Sequence, residues 1–310
     1  MSLTALPRVA EHFDQFNATR QPAAPATGRL QFAGVNGHDV YNITAPFPSA
    51  GRMIIAGRVE PRHHEYSVVM FFEEHDSVWH PVEDGPVLQL QDPFVTFVGG
   101  ELIFGGVHIT ETNEGFSWRT EFFRGIDIFD LKPFFAGPQG MKDIRLCEIG
   151  NRRIGVFTRP QGIKGGRGTI GYIEIASLED LTLDVVADAP LLDGMFHPMD
   201  WGGVNETHLL PDGQIGLLAH CAFYEGDIIN GIRHYYACAF RFDPEIMVFG
   251  DYRIIAARNQ FSEGASKRDH LADVILPSGL VRQQGRARLY AGISDAEAHW
   301  IDIADPFCGC

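Results

Sequence analysis

One unit recurs five times along this chain: an apolar strand, a polar or glycine-containing turn, then a second apolar strand. The copies are "NITAPFPSAGRMIIAGR" (42–58), "DPFVTFVGGELIFGGVH" (92–108), "IRLCEIGNRRIGVFTR" (144–159), "ETHLLPDGQIGLLAH" (206–220) and "DVILPSGLVRQQGRARLYAGISD" (273–295). Their second strands end at Arg58, His108, Arg159, His220 and Asp295, at intervals of 50, 51, 61 and 75 residues. Further strand-like runs lie between them, such as "YSVVMFFEE" (66–74), "GTIGYIEIA" (168–176) and "HYYACAFRFD" (234–243). Helical patterning is confined to short stretches near 7–17, 127–135 and 178–181. Each blade of a β-propeller is a four-stranded sheet of about 45 residues or more. The spacing therefore predicts an all-β chain folded as a five-bladed β-propeller with a central, funnel-shaped active site. A β-sandwich is the competing arrangement, and the even spacing with its shared polar terminus disfavours it.

The two ends of an antiparallel hairpin lie at one edge of its sheet. Asn42, Asp92, Glu206 and Asp273 begin hairpins, and the five residues named above end them. All are expected to converge on one funnel, which gives Asp92 a reason to stand at the start of an apolar hairpin. The bland reading is an Asp-Pro turn.

With 25 basic and 40 acidic residues the net charge is −15. Such a chain has no long-range attraction for nucleic acid or an anionic membrane, so an anionic ligand must meet a local basic pocket. No apolar run is long enough to span a bilayer. Residues 1–28 read as an N-terminal extension, with the Pro/Ala-rich connector "ATRQPAAPATG" at 18–28, and residues 29–305 as one propeller domain. The N-terminus lacks the charged start and apolar core of a secretory signal. Five cysteines without framework spacing suit reduced thiols in the cytoplasm. "RVAEHFDQF" (8–16) loosely fits a peroxisomal targeting pattern.

The stretch 149–172, "IGNRRIGVFTRPQGIKGGRGTIGY", holds Arg152, Arg153, Arg159, Lys164 and Arg167 and no acid. Its glycines let backbone N–H groups approach an anion, and arginine pairs with phosphate through two parallel hydrogen bonds. A phosphate or sugar-phosphate site is expected there, with Arg159 the strongest member. Arg152 and Arg153 share a turn, so at least one should face solvent. His220 is a further candidate for phosphate, or a structural histidine; His108 has the same reading with less support. Glu206 is either a sugar ligand or a second carboxylate that activates water. Asp295, Asn42 and Arg58 are expected to hold sugar hydroxyls, and Asp273 to support the wall. No metal site is expected: His197 and His208 are too far apart for a helical zinc pair. "GIKGGRG" lacks a P-loop ending, and no nucleophile elbow is present.

Taken in order, these segments resemble glycoside hydrolase family 130, five-bladed propellers that include inverting β-mannoside phosphorylases, and the mannosyltransferase–phosphorylases of the same clan. The likeness runs from about residue 39 to residue 303. "DVYNITAPF" with "IIAGRVE" is similar to the first blade, and "LQDPFVT" to the Glu-Asp-Pro-Arg signature whose aspartate, here Asp92, is the family's catalytic acid. "WGGVNETHLLPDGQIGLLAHC" resembles the fourth-blade hairpin, and "DVILPSGLV" with "RLYAGISDAE" the last blade. The signature's outer residues are here Gln91 and Phe94, and Trp201 stands near the place of a phosphate-binding lysine.

The resemblance implies reversible phosphorolysis of β-mannosides with inversion, β-1,2-linked in the nearest group, giving mannose 1-phosphate. It also implies that Asp92 passes its proton through a sugar hydroxyl. No cofactor is needed, because phosphate or a sugar phosphate is itself a substrate and oligosaccharide the partner. An inverting hydrolase using Glu206 with Asp92, or a non-catalytic glycan-binding propeller, is the alternative. The oligomeric state stays open.

Overall fold

The structure is a computed structural model that describes residues 6–19, 24–113, 115–227 and 231–308. It is predominantly β. The first sheet is built on Asp39–Tyr41, Arg52–Glu60, Val68–His75 and Val78–Pro81, with Phe47–Ser49 paired to the second of these and Gln31–Phe32 to the last. Next comes a four-stranded sheet of Gln91–Val98, Glu101–Thr112, Gly115–Gly125 and Lys132–Ala136. The third has three strands, Arg145–Glu148, Ile154–Thr158 and Gly171–Ile175. The rest form one eight-stranded sheet made of two antiparallel runs. One run is Trp201–Leu209, Ile215–Glu225, Ile232–Asp243 and Val248–Ala256; the other is Asp273–Gln283, Arg286–Ile293, Glu297–Ala304 and Thr27–Arg29. Only a short parallel pairing, His234 to Asp273 and Tyr235 to Val274, joins the runs.

These strand groups follow one another in a closed cycle. Gln91–Val98 lies against Arg145–Glu148, which lies against Trp201–Leu209, which lies against Asp273–Gln283; the last group returns to Asp39–Tyr41. The core is divided accordingly. One apolar cluster (Phe71, Phe104) fills the space between the first two groups, and the next (Phe94, Phe122, Ile144, Val156) between the second and third. Phe157 and Phe242 belong to the third cluster, Leu218 and Leu289 to the fourth, and Val40 and Ala298 to the one that closes the ring. Burying a Phe or Leu contributes about 1.5–3 kcal/mol, so each junction is held by several such terms.

Segments near the two ends of the described chain close the structure. Thr27–Arg29 pairs with Glu297–Ala304, so a strand from the N-terminal side completes the final run. The helix Val9–Thr19 docks on the fourth group. Arg8 Nε and Nη2 donate to Asp200 Oδ1 at 2.9 and 2.7 Å, Val9 N donates to Asp200 Oδ2 at 2.8 Å, and Phe13 stacks on Tyr236 at 4.2 Å. The stretch that fits a targeting pattern is thus packed into the body. Residues 127–135, expected to show helical character, form a turn and the strand Lys132–Ala136, while Leu183–Asp188 is a short helix that the periodicity missed. Among the described residues no helix is long and apolar enough to cross a membrane.

Candidate active site

Local backbone geometry turns three polar side chains toward one cleft. Asn42, Asp92 and Asp295, which line it, have φ of 44°, 48° and 50°, and Asp143, which pairs with Arg159, has 63°. The left-handed region is one that Asn and Asp tolerate because their short side chains bond locally. At Asp92 the pairing with the neighbouring strand slips between Gln91 and Phe94. Pro93 has no N–H to lose there, and a bulge of this kind re-aims a side chain. The hairpin is closed at its other end by Gly99 and Gly100, both at positive φ (60° and 82°), as a two-residue turn matched to strand twist requires.

Two adjoining cavities, of about 410 and 580 Å³, share Gln91, Asp92, Lys142 and Arg233 in their walls. They form one cleft with Asp92 and Lys142 at the junction. The larger side is lined by Asn42, Arg58, Glu65, Lys267 and Asp295 among others, and the smaller by Arg159, Arg167, Trp201, Tyr224 and Tyr235.

Asp92 is gripped at one oxygen. Asn42 Nδ2 donates to Oδ1 at 2.7 Å and Arg58 Nη1 reaches the same oxygen at 3.2 Å. Oδ2 receives no hydrogen bond from a described residue. Burial pushes the carboxyl up, but Arg58, Lys142 and the Asn42 amide together hold it below the ordinary aspartate value. Asp295, half-buried in the same cleft, is pushed the other way, by desolvation first and by the Asp92 charge, against Arg58 and Lys267. Two carboxylates in one cleft are thereby driven apart in acidity, the arrangement that separates proton-transfer roles.

The smaller side is cationic. Arg159 is buried, with Nε donating to Gly202 O at 2.9 Å and Nη1 lying 3.3 Å from Asp143 Oδ2. That contact is an ion pair by distance, yet neither atom is satisfied as a hydrogen-bonding group. Gly203 is required beside it, because a Cβ there would meet Arg159 Cδ at 2.6 Å. Burial pushes the Asp143 carboxyl up, but Arg159, Lys142 and Arg145 bring it down to about 2. Lys142, Arg167 and Arg233 pair with no carboxylate among the described residues. The Arg167 guanidinium lies 6.0 Å from the Trp201 ring and 5.7 Å from Tyr224, and Arg233 lies 5.7 Å from Tyr224 on the same wall. Three such cations make this wall locally positive in a chain of net charge −15, where an anion would be favoured.

The structure brings Asp92, Asn42, Arg58, Asp295, Arg159 and Arg167 into the cleft. Others depart from expectation. Arg152 is exposed in the turn at the end of Ile154–Thr158 remote from Arg159. Lys164 spends its ammonium on the carbonyls of Ala187 and Ala189, the latter at 2.8 Å. His220 is buried outside the cleft wall, donates from Nδ1 to Asn205 Oδ1 (2.9 Å) and stacks on Tyr235; burial and Arg159 push its imidazole down to about 3, so it packs there as a neutral group. Glu206 is consumed by structure: Oε2 lies 2.7 Å from His208 Nε2 and accepts from Leu280 N at 2.7 Å. His108 turns away toward Gln89 O because Val107 and Ile109 take the cleft face of that strand. Asp273 pairs with His234 Nδ1 at 2.6 Å and with Tyr236 OH at 3.0 Å.

Lys142, Asp143, Arg233, Tyr224 and Tyr235 were not found by reading the sequence. A signal existed for Asp143: it follows Asp92 by 51 residues, the same interval that separates His108 from Arg159. Arg233 and the aromatic pair come from the second and third strands of their sheet, which a repeat of first hairpins does not register.

Known structures share this fold closely. MPT-4, a mannose phosphorylase from Leishmania mexicana solved with a phosphate ion, is 35% identical, with 96% of this chain and 93% of that chain covered and a TM-score of 0.88. MPT-1, a GDP-Man-dependent mannosyltransferase from the same organism, is 33% identical over 98% and 97% of the two chains, with a TM-score of 0.89. A β-1,2-mannobiose phosphorylase from Listeria innocua shares the fold at 12% identity, covering 93% of each chain, with a TM-score of 0.58. The chain therefore belongs to one family with these two Leishmania mexicana proteins, and it shares its fold with the Listeria phosphorylase. No curated protein sequence is significantly similar. The chain belongs to the family described as protein of unknown function (DUF1861), whose model matches residues 16–309.

Proposed function

We propose that this protein is an inverting mannosyltransferase–phosphorylase acting on β-mannosides, β-1,2-linked, through a single five-bladed propeller domain spanning about residues 29–305. The carrying observation is the position of Asp92 at the junction of a polar compartment and a cationic one. A mannosyl ring in the larger compartment would be held by Asn42, Arg58 and Asp295. Phosphate would sit against Lys142, Arg159 and Arg167.

In phosphorolysis a phosphate oxygen forms the new bond to the anomeric carbon. The glycosidic C–O bond breaks, and its oxygen takes a proton that originates on Asp92. In transfer the acceptor hydroxyl attacks, its proton goes to the Asp92 carboxylate, and phosphate leaves to the cations. Without ligand Asp92 is held ionised, the state a base requires. Phosphorolysis needs the protonated form, and a phosphate dianion beside Lys142 offsets one of the charges that hold the carboxyl down. No second carboxylate is required, because phosphate is already an anion. The engagement of Glu206 with His208 and Leu280 weighs against the hydrolytic alternative, which needs a free base.

A nucleotide-sugar donor is the second reading. The wall of Trp201, Tyr224 and Tyr235 with two unpaired guanidiniums is more than inorganic phosphate needs, and one close relative is a GDP-Man-dependent enzyme. The deciding experiment supplies β-1,2-mannobiose with phosphate, with water alone, with mannose 1-phosphate or with GDP-mannose. Mannose 1-phosphate formed only when phosphate is present supports phosphorolysis. Cleavage indifferent to phosphate overturns it, and elongation from GDP-mannose alone selects the nucleotide donor.

A further inference from the structure

Four charged side chains stand in a row behind the larger compartment, alternating in sign. Lys267 Nζ donates to Glu60 Oε1. Glu60 Oε2 accepts from Arg58 Nε at 3.1 Å and Arg58 Nη2 at 2.6 Å, and Arg58 Nη1 meets Asp92 Oδ1 at 3.2 Å. Tyr41 OH also donates to Glu60 Oε1, at 2.9 Å. Glu60 is 1% exposed, Arg58 5% and Lys267 9%. Such a row is poor value as stability alone, since well-packed apolar residues often serve as well or better.

Lys267 comes from far along the chain. Its segment, residues 257–272, links Val248–Ala256 to Asp273–Gln283. Ala265 N donates to Glu297 Oε1 at 3.0 Å and Lys267 N to Ser294 O at 3.0 Å, fixing the segment to the last strand group. From there Lys267 and Arg268 reach Glu65, each at 2.9 Å, and His270 and Leu271 line the cleft. A strap from the end of the cycle is thus tied to its beginning across the sugar compartment.

A guanidinium is a rigid planar fork, so pairing along one edge fixes where the other edge points. Glu60 holds the Nε–Nη2 edge of Arg58 and leaves Nη1 on Asp92. We propose that Glu60 is a positioning residue: it sets the Arg58 guanidinium on Asp92 and, through Lys267, makes that setting depend on the strap being seated. The proposal rests on the mannosyl-transfer reading of the site.

The test reads the Asp92 carboxyl directly, by carbon-detected NMR titration of the wild type, E60Q and K267M, alongside transfer from mannose 1-phosphate to β-1,2-mannobiose. The charged groups facing Asp92 are Arg58, Lys142, Asp143 and Asp295; those around Glu60 are Arg58 and Lys267, with Tyr41 as a neutral donor, and Glu65 shares both cations, at 3.6 Å from Arg58 Nη2 and 2.9 Å from Lys267 Nζ. Once Arg58 is released, the Asp92 titration and the acidic limb of the pH profile rise by about one pH unit in E60Q. Turnover falls about 10–100-fold, the scale of a small misplacement. If Glu60 only fills space, Arg58 stays, and loss of a nearby negative charge leaves the titration unmoved or lowers it; that result overturns the proposal. K267M should show the same direction with a smaller shift, which keeps the question decidable if E60Q does not fold. Wild-type titration in K267M, with only a lowered Tm, also overturns it. An active-site titration that moves as described in a wild type inactive on every mannoside would sink the functional reading and leave the positioning role standing.

Discussion

Asn42 Nδ2 lies 2.7 Å from Asp92 Oδ1, although the two residues are 50 positions apart. They hold equivalent places on successive sheets, each at positive φ, so one repeat interval in the chain becomes one hydrogen bond at the cleft. The bond engages one oxygen of Asp92 and leaves the second without a hydrogen bond from a described residue. Four predictions follow from this arrangement and its neighbours.

Asp92→Asn keeps the hydrogen-bonding shape and removes the titrating group. Turnover in both directions should fall by about 10²–10⁴-fold, the usual contribution of a positioned acid or base. Phosphate and mannobiose affinities, measured by calorimetry, should stay within a few-fold of wild type. Retained turnover would remove Asp92 from the proton path.

The proposed anion site separates residues that sequence reading grouped together. Lys142→Met and Arg167→Met should each raise the KM for phosphate by about tenfold or more, the size of one lost charge-assisted hydrogen bond. Arg152→Ala should leave it unchanged, since Arg152 lies in the turn remote from Arg159. Kinetics against phosphate concentration at fixed mannobiose decide the matter.

Asp143 ties stability to pH. Its folded value of about 2 lies below the unfolded value of about 3.9, so the stabilisation is fully present above the unfolded value and lost as pH falls through the folded one. The window is about pH 4 down to pH 2, and the linked contribution is about 2–3 kcal/mol. Urea unfolding of wild type and Asp143→Asn should differ at neutral pH and converge across that window. His220, pushed down to about 3, should show a neutral imidazole by NMR throughout the range from pH 5 to pH 8.

Glu206 tests structure against catalysis. Glu206→Ala strands the Leu280 N–H and should cost about 1–3 kcal/mol of stability, read from denaturant midpoints. Phosphate-dependent turnover in the folded variant should remain within a few-fold of wild type. Loss of turnover at unchanged stability would revive the hydrolytic assignment.

Much of the fold was legible because a sheet face writes itself into sequence as alternation, and repeated sheets write themselves as spacing. The five hairpins occur as antiparallel strand pairs, and the start of the second places Asp92 in the cleft. Reading failed where the pleat decides direction. His108 lies one residue from two cleft-lining neighbours and points away, and Glu206 lies beyond a register shift that turns it onto Leu280. It failed again where charge was read as location. Of the cations in 149–172, Arg159 and Arg167 reach the cleft, while Arg152, Arg153 and Lys164 are spent on solvent, on Glu174 and Glu245, and on backbone carbonyls.

By itself the sequence determined the strand periodicity, the hairpin repeat and an aspartate placed before proline at the head of a hairpin, because these depend on contacts within a few residues. Tertiary structure alone decided that Asn42, Arg58 and Lys142 meet at Asp92, and that Lys267 reaches Glu60 from 207 positions away. Closing the sheets into a cycle sets those distances, and no local pattern of residues encodes how far apart two strand groups stand once the ring is shut.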